Sequence, residues 1–487
     1  MKILLVYSVP PARCWPQGLF RSRWVPSGIA YVGRALIRAG HEVRAYMSEE
    51  QLMRLGLDRR AAERRFRELL AEFRPEVIGF SATTASVTES ARMAGVAKEV
   101  VGSQALTVIG GPHCSALPER TLAESPAVDV VVVGEGEATL VELLERGPRG
   151  DVAGIGYRED GSVTVTAPRP MHEDLDGLGS PAYELFDMAH YTAADRWMIR
   201  WLKLRATNVR TSRGCPNRCR FCAGHVTSGV GVRCRSIAFV VDEVTRVVRR
   251  YGVEAIRFED DTLGADRARL LELCEAMRRR DLHRCLVWEC CLRVDQPDAE
   301  LLASMKSAGC IQVEYGFESG SDACLVRLGK NTTGDLNRRA VRLTREAGLR
   351  IFADIMVGLP GETAADFDAT VRFLRWARPE VISAARLAPL PGTPIYDGLP
   401  EDVKRSLDWA GYSYLDYPGF DVNLTAMSDD EFRRRYHDFL KYFVRPALVR
   451  ELLRDTPVED RGVRRQLRAK ARAFALKHPV RACRLPV

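Results

Sequence analysis

The stretch NVRTSRGCPNRCRFCAG, Asn208 to Gly224, decides how the chain is read. It begins as a short strand-like run and turns at Gly214 into a loop carrying Cys215, Cys219 and Cys222. The cysteines are spaced C-x3-C-x2-C immediately behind the strand. Three thiolates on one tight loop can ligate three irons of a [4Fe–4S] cluster and leave the fourth iron open. Structural zinc is the competing reading. It normally needs four ligands and favours paired C-x2-C spacing, with Cys234 or His225 as the candidate fourth.

Outward from this loop the cysteines keep pointing to a metal site. Of 13, only Cys14 and Cys114 lie in the first 200 residues, and all the others except Cys483 fall between Cys215 and Cys324. A chain with no export signal and thiols concentrated in one segment is not read as a disulfide framework. MKILLVYSVPPARCW at the N-terminus reads as a buried first strand rather than a signal peptide.

Downstream, strand-like runs recur at NVRTS, VEAIRFED, CLVWEC, IQVEYGFE, RIFADIMVG and VISAARLAP, with helices between them. Thr333 is placed as an N-cap. Thr363 pairs with Asp366 at capping-box distance, with Asp in place of the usual Glu. Six β/α units in order predict a partial or full barrel with its active site at the strand C-termini. Upstream, KILLVY, HEVRAY, EVIGFS, LTVIGG and DVVVVGEGE alternate with helical stretches and predict a parallel, doubly wound sheet. Its ligand should sit at the carboxyl ends of the strands, on a backbone-lined platform of residues 8–10, 81–84, 110–113 and 134–137. The boundaries follow: 1–150 for the first domain, 151–200 for a connector with a hairpin near Asp160, 201–399 for the barrel and 400–487 for a mostly helical C-terminal region.

The cysteine loop resembles that of the radical S-adenosylmethionine superfamily, including the aromatic Phe221 before the third cysteine. RFEDDTL (Arg257–Leu263), YGFESGSD (Tyr315–Asp322), VGLPGET (Val357–Thr363) and PLPGTPIY (Pro389–Tyr396) resemble its strand-end motifs. The resemblance implies that Cys215, Cys219 and Cys222 hold the cluster. The open iron then takes the amino and carboxylate groups of S-adenosylmethionine, whose one-electron reduction yields a 5′-deoxyadenosyl radical. It further implies that Glu259 and Asp260, with Asp261, grip the methionyl amino group, and that Arg293 pairs with the carboxylate or else with Asp295. Glu318 and Ser319 would bond the ribose or carboxylate, and Gly358 and Gly361 would let backbone approach the adenine. Cys290 and Cys291 face the mouth or the core.

IGGPHCSALPE (Ile109–Glu119) and VVVGEGE (Val131–Glu137) resemble the cobalamin-binding domain that precedes many such barrels. The fold implied is α/β: a Rossmann-like cobalamin-binding domain, a partial (β/α)6 radical S-adenosylmethionine barrel and a helical C-terminal region. The platform residues implied are Ser8, Pro10, Ser81, Thr83, Gly110, Gly111, His113, Gly134 and Gly136. The D-x-H-x-x-G motif that supplies a histidine below cobalt is absent, so cobalamin is expected without histidine ligation. His113 otherwise caps a turn.

The composition fits a soluble protein, with 46% hydrophobic and 28% charged residues. No apolar run approaches the ~20 residues that cross a bilayer. A cytoplasmic location is expected. The net charge is +8, and the segment from Asp455 onward holds nine Lys or Arg against three Asp or Glu, leaving only +2 elsewhere. That tail suits a solvated helix, or contact with nucleic acid, an anionic membrane surface or an acidic redox partner. No aromatic stacking pattern supports nucleic-acid binding.

The expected reaction is radical C-methylation of a small, specialised metabolite, with a flavodoxin or ferredoxin as electron donor. An oxidative cyclase resembling the anaerobic Mg-protoporphyrin monomethyl ester cyclase stays open beside it, as does a cobalamin or redox sensor. A methylthiotransferase would need three N-terminal cysteines, and only two exist. Tyr412, Tyr414, Tyr417 and Phe420 are candidate lid aromatics, although packing against the barrel explains them too.

Overall fold

The computed structural model describes residues 1–10, 23–56, 58–194, 198–199, 202–412 and 422–444. Tyr414, Tyr417, Phe420 and the basic tail lie outside the described residues.

The first strand, β1 (Lys2–Tyr7), shows why the N-terminal sheet is covered on both faces. Alternate side chains enter two separate cores. Ile3 and Leu5 pack with Ile29 and Leu36 of the helix Ser27–Arg38. Leu4 and Val6 pack with Phe66 and Leu70 of the helix Arg59–Phe73. A strand buried on both faces must be apolar throughout, which is the run seen in the sequence. Beside it stand β2 (Glu42–Met47), β3 (Val77–Ser81), β4 (Leu106–Gly110) and β5 (Val130–Val132), all parallel, in the order β2-β1-β3-β4-β5. The hairpin near Asp160 forms β6 (Ile155–Glu159) and β7 (Ser162–Val165). It extends this sheet antiparallel, with β6 against β5. The residues read as the start of a connector are thus structurally part of the first sheet.

The second sheet is a curled half-barrel of six parallel strands. β8 (Ala206–Val209) is followed by β9 (Ser212–Arg213) and β10 (Arg233–Cys234), a small antiparallel pair that brackets the cysteine loop. β11 (Ala255–Phe258), β12 (Val287–Leu292), β13 (Cys310–Glu318), β14 (Arg350–Val357) and β15 (Val381–Arg386) then line up in sequence order beside β8. Connecting helices start where their caps predict. Thr333 accepts the N–H of Leu336, and the capping box of Thr363 and Asp366 is fully formed.

Above its base the half-barrel carries polar side chains on its inner face, and its outer face is apolar. On β13, Val313, Tyr315 and Phe317 are fully buried toward the helices, while Gln312, Glu314, Gly316 and Glu318 alternate with them. The base of the lumen is closed by an apolar plug of Met198, Ile199, Leu202 and Leu204 against Ala206, Ala255, Val287 and Ile311. A segment of the N-terminal half closes its side. The Asn208 side chain on β8 accepts from the Val25 N–H at 2.9 Å and donates to the Val25 carbonyl at 3.0 Å, and Trp24 lies over the Arg257 guanidinium.

Of the candidate lid aromatics, Tyr412 is buried beside Trp409, in an apolar cluster that joins Leu4 and Phe80 of the N-terminal sheet to Ala388, Tyr396 and Leu399.

Candidate functional site

Each of the three loop thiols is met by an N–H group. Asn217 Nδ2 lies 3.4 Å from Cys215 Sγ, the Gly224 N–H donates to Cys222 Sγ at 3.4 Å, and Arg293 Nη1 stands 3.9 Å from Cys219 Sγ. All three cysteines are free. Burial raises the thiols of Cys219 and Cys222, and Lys330 and Arg293 pull Cys219 back toward the thiolate. Three thiols with N–H donors and cations nearby fit an iron–sulfur cluster, whose potential responds to hydrogen bonds on sulfur. Among the described residues no three His, Cys, Asp or Glu side chains stand close enough to hold a single metal ion. Phe221 packs against a small core of Cys324, Leu328, Leu359, Leu387 and Ile395, which anchors the loop to the helices beyond β13 and β15.

The acids that end β11 brace this loop from behind. Asp260, 5% exposed, accepts from the Thr211 N–H and hydroxyl and from the Ser212 hydroxyl. Asp261 accepts the Gly214 N–H at 3.1 Å. Glu259 accepts from Ser27 and from Asn208 Nδ2, tying the N-terminal half to the mouth. Arg293 forms the ion pair with Asp295, with both guanidinium contacts at 3.1 Å, and also donates to the Lys330 carbonyl at 2.8 Å. Glu318 is bent into the left-handed region at φ 61° and pairs with Lys330. A non-glycine residue held there stores strain of the kind found at ligand sites. The Ser319 hydroxyl meets Thr370 at 3.0 Å, toward the helix side of the sheet. Gly358 has φ 78°, and a Cβ there would stand 2.9 Å from the Phe432 ring, so that face is already filled by protein. Cys290 is fully buried toward the helices, whereas Cys291 is half-buried on the lumen side.

The carboxyl ends of β1, β3, β4 and β5 form the expected small-residue edge. Ser8 is buried and bonded to Ser90, and the Pro10 carbonyl accepts from Arg59. Ser81 is half-buried, and Thr83 is held by Ser86. Gly110 and Gly111 make the turn after β4, where a Cβ on Gly111 would strike the Ala82 carbonyl oxygen at 2.3 Å. His113, 1% exposed, is bonded to Thr84 and lies edge-on to Trp409, and burial lowers it to about 4. A cavity of about 300 Å³ opens beside it, bounded by Val87, Thr88, Thr121 and Trp409. Gly134, at φ 80°, has open space above it, while a Cβ on Gly136 would meet Val32.

Between these glycines, Glu135 and Glu137 reach across to the cysteine loop. Arg213 donates to Glu135 at 2.8 Å and to Glu137 at 2.6 Å, and Arg233 donates to both oxygens of Glu135 at 2.9 Å. Burial would raise Glu135, but the two arginines and the His172 N–H outweigh it and hold the carboxyl at about 2. The strand-end platform is thereby fixed against the mouth of the half-barrel.

Residues 19–144 match the family model described as the B12 binding domain, and residues 209–374 match that of the radical SAM superfamily. The chain joins a B12-binding domain to a radical SAM domain. It is 27% identical to an uncharacterized methyltransferase of Pyrococcus horikoshii over 92% of this chain and 94% of that one. It is 29% identical to the anaerobic magnesium-protoporphyrin IX monomethyl ester cyclase of Cereibacter sphaeroides, over 80% of this chain and 63% of that one. The fold matches the radical S-adenosylmethionine methyltransferase TsrM of Kitasatospora setae at TM-score 0.67 and 19% identity, over 89% of this chain and 85% of that one.

The two domain matches make a [4Fe–4S] cluster, S-adenosylmethionine and cobalamin the cofactors of this chain. The residues present fit them. The radical SAM domain offers three N–H-supported thiols. The B12-binding domain offers a small-residue strand-end edge, open at Gly134. Sequence reasoning missed Lys330, Arg213, Arg233 and the carboxylates of Glu135 and Glu137. The last two sit inside a quoted motif, and their alternation with glycine was the available signal. Among the described residues, no helix is long and apolar enough to cross a membrane.

Proposed function

We propose that this radical SAM enzyme transfers a methyl group to an unactivated carbon of a small-molecule substrate held between its two domains. The observation that carries the reading is the buried Arg213 and Arg233 bridge to Glu135 and Glu137, which sets the platform and the cysteine loop at one lumen. When bound, the cluster with S-adenosylmethionine supplies a carbon-centred radical, and cobalamin supplies a transferable methyl group.

The chain's own residues bind, orient and exclude water. Cys215, Cys219 and Cys222 would hold the cluster. Arg293, Glu318 and Lys330 would bind the polar end of S-adenosylmethionine, with Phe221 packing beside it and Ser319 supporting the strand end. Glu259 and Asp260 brace this arrangement. Ser8, Pro10, Ser81, Thr83, Gly110, Gly111, Gly134 and Gly136 would line the corrin face, and His113 keeps its bond to Thr84. Residues 1–150, 151–200, 201–399 and 400–487 divide these tasks, and an external flavodoxin or ferredoxin supplies the electron.

The test is anaerobic turnover with reductant, S-adenosylmethionine and cobalamin. 5′-Deoxyadenosine together with a product heavier by one CH2 is the expected result. Formation of 5′-deoxyadenosine with a dehydrogenated product of unchanged carbon count would instead favour the cyclase reading, which the similarity to the Cereibacter cyclase supports. No 5′-deoxyadenosine at all would overturn both in favour of a sensor.

A further inference from the structure

Two of the three loop thiols meet neutral donors, the Asn217 side-chain amide at Cys215 and the Gly224 backbone N–H at Cys222. Cys219 meets a cation instead, the Arg293 guanidinium, whose Nη1 stands 3.9 Å from its sulfur. Arg293 is the first residue past β12, so the fold brings this charge to the loop from a separate strand end.

The rest of the guanidinium is held in place. Nε and Nη2 each donate to a carboxylate oxygen of Asp295 at 3.1 Å, and Nη2 also donates to the Lys330 carbonyl at 2.8 Å. The backbone beneath is pinned as well. Gln296 Oε1 accepts the Arg293 N–H at 2.8 Å and the Thr262 hydroxyl at 2.9 Å, which ties the turn after β12 to the loop after β11. A planar fork fixed along one edge aims its remaining nitrogen in one direction, here at Cys219.

The charges on the two sides of this fork are screened unequally. The Arg293 side chain is 10% exposed, whereas that of Asp295 is 38% exposed. Water therefore weakens the carboxylate's opposing field more than the field of the guanidinium at the sulfur. One-electron reduction of a thiolate-held cluster adds a negative charge that its sulfurs share, and N–H groups and cations beside sulfur favour that state.

We infer that Arg293 sets the reduction potential of the cluster, raising it through its contact with Cys219, and that Asp295 moderates the effect. In this role Arg293 is a positioning residue that acts through Cys219. The external one-electron donor then needs less driving force than it would against a loop held by neutral donors alone. This deepens the proposed function and rests on its assignment of Cys219 to the cluster.

The test is an anaerobic potentiometric titration of the holoenzyme with dithionite and redox mediators, without S-adenosylmethionine so that the electron is not consumed. The electron paramagnetic signal of the reduced cluster gives the midpoint. Arg293→Gln should make reduction about tenfold less favourable, a fall of about 59 mV for a one-electron couple. Asp295→Asn removes the moderating charge and should move the midpoint the opposite way, by about threefold because that carboxylate is partly screened. Iron content checks that each variant is loaded. If Arg293→Gln does not load, the upward shift of Asp295→Asn carries the comparison alone. A loaded Arg293→Gln protein with the wild-type midpoint, an Asp295→Asn midpoint that does not rise, or shifts of the same sign in both variants overturns the inference. The underlying cluster assignment fails by a separate sign, a full complement of iron in Cys219→Ala.

Discussion

Glu362 is fully buried behind the turn that follows β14. Its Oε2 accepts the N–H groups of Gly358 at 2.8 Å and Leu359 at 3.2 Å, and its Oε1 has no partner. Burial pushes the carboxyl up to about 7 from an ordinary 4.5, against the lowering effect of the two N–H groups. The folded state therefore binds this proton more tightly than the unfolded chain does. The resulting stabilisation is complete below the unfolded value and is lost as pH rises through 7, a span on the order of 3 kcal/mol at most. Thermal melts from about pH 5 to about pH 8 should fall for the wild type and stay flatter for Glu362→Gln, which keeps an acceptor on the turn without the charge. The cysteines give a second expectation at this scale. Replacing Cys215, Cys219 or Cys222 singly by Ala should bring cluster iron to background, read from iron content and visible absorption. Retention of a full complement by any one variant would remove that residue from the ligand set. His113 gives a third. Neutral, buried and bonded to Thr84, it should leave no nitrogen coupling of its own in the electron paramagnetic spectrum of bound cob(II)alamin. The spectrum of His113→Ala should then match the wild type.

The turn after β4 shows what an element can demand of one residue. Gly111 has φ 118°, and its missing Cβ leaves room for the Ala82 carbonyl of the neighbouring turn. Gly111→Ala combines a disfavoured backbone with a contact to rigid main chain, so a loss of about 2 kcal/mol or more is expected in urea unfolding. The same substitution at Gly134, where nothing crowds the added carbon, brings only the backbone strain and should cost less. Elements of this kind were legible in the sequence to different depths. The five parallel strands of the first sheet were readable because both-face burial forces short apolar runs bounded by turn residues, and the six of the half-barrel because each short strand-like run is separated from the next by a helix with a readable start or stop. The hairpin near Asp160 was readable as a turn, but its attachment to β5 was not, since pairing between distant strands leaves no local period. The helix Ser48–Arg54 escaped because seven residues, SEEQLMR, show too little repeat. The inward placement of Gln312 and Glu314 was hidden for the opposite reason. Polar residues alternating with Val313, Tyr315 and Phe317 are what a solvent-facing strand also presents, and only curling of the sheet turns that face into a lumen.

At the scale of the whole molecule, the two domains share a continuous apolar core, and at the site they are joined in addition by a small number of buried charges. Arg213 and Arg233 are 9% and 11% exposed at the side chain, and Glu135 and Glu137 are 11% and 9%. Two arginines share Glu135, and its carboxyl at about 2 lies well below its ordinary 4.5. That stabilisation is present above the unfolded value and is lost as pH falls from 4.5 toward 2, opposite in sign to Glu362. Glu135→Gln leaves the Arg233 guanidinium buried against a neutral amide and Arg213 with Glu137 alone, and breaking a buried pair in this way typically costs about 3–5 kcal/mol. Because Arg213 stands two residues before Cys215, the cost should appear where the cysteine loop meets the B12-binding domain and not in the core of either sheet. Hydrogen exchange reads this directly. Amides of residues 211–234 should exchange at least about tenfold faster in the variant, while those of β1 and β3 keep their wild-type rates. Uniformly faster exchange in β1 and β3 would mean that Glu135 supports the fold of its own domain. Unchanged exchange at 211–234 would mean that the contacts of Glu259 with Ser27 and Asn208 hold the two halves in register without it.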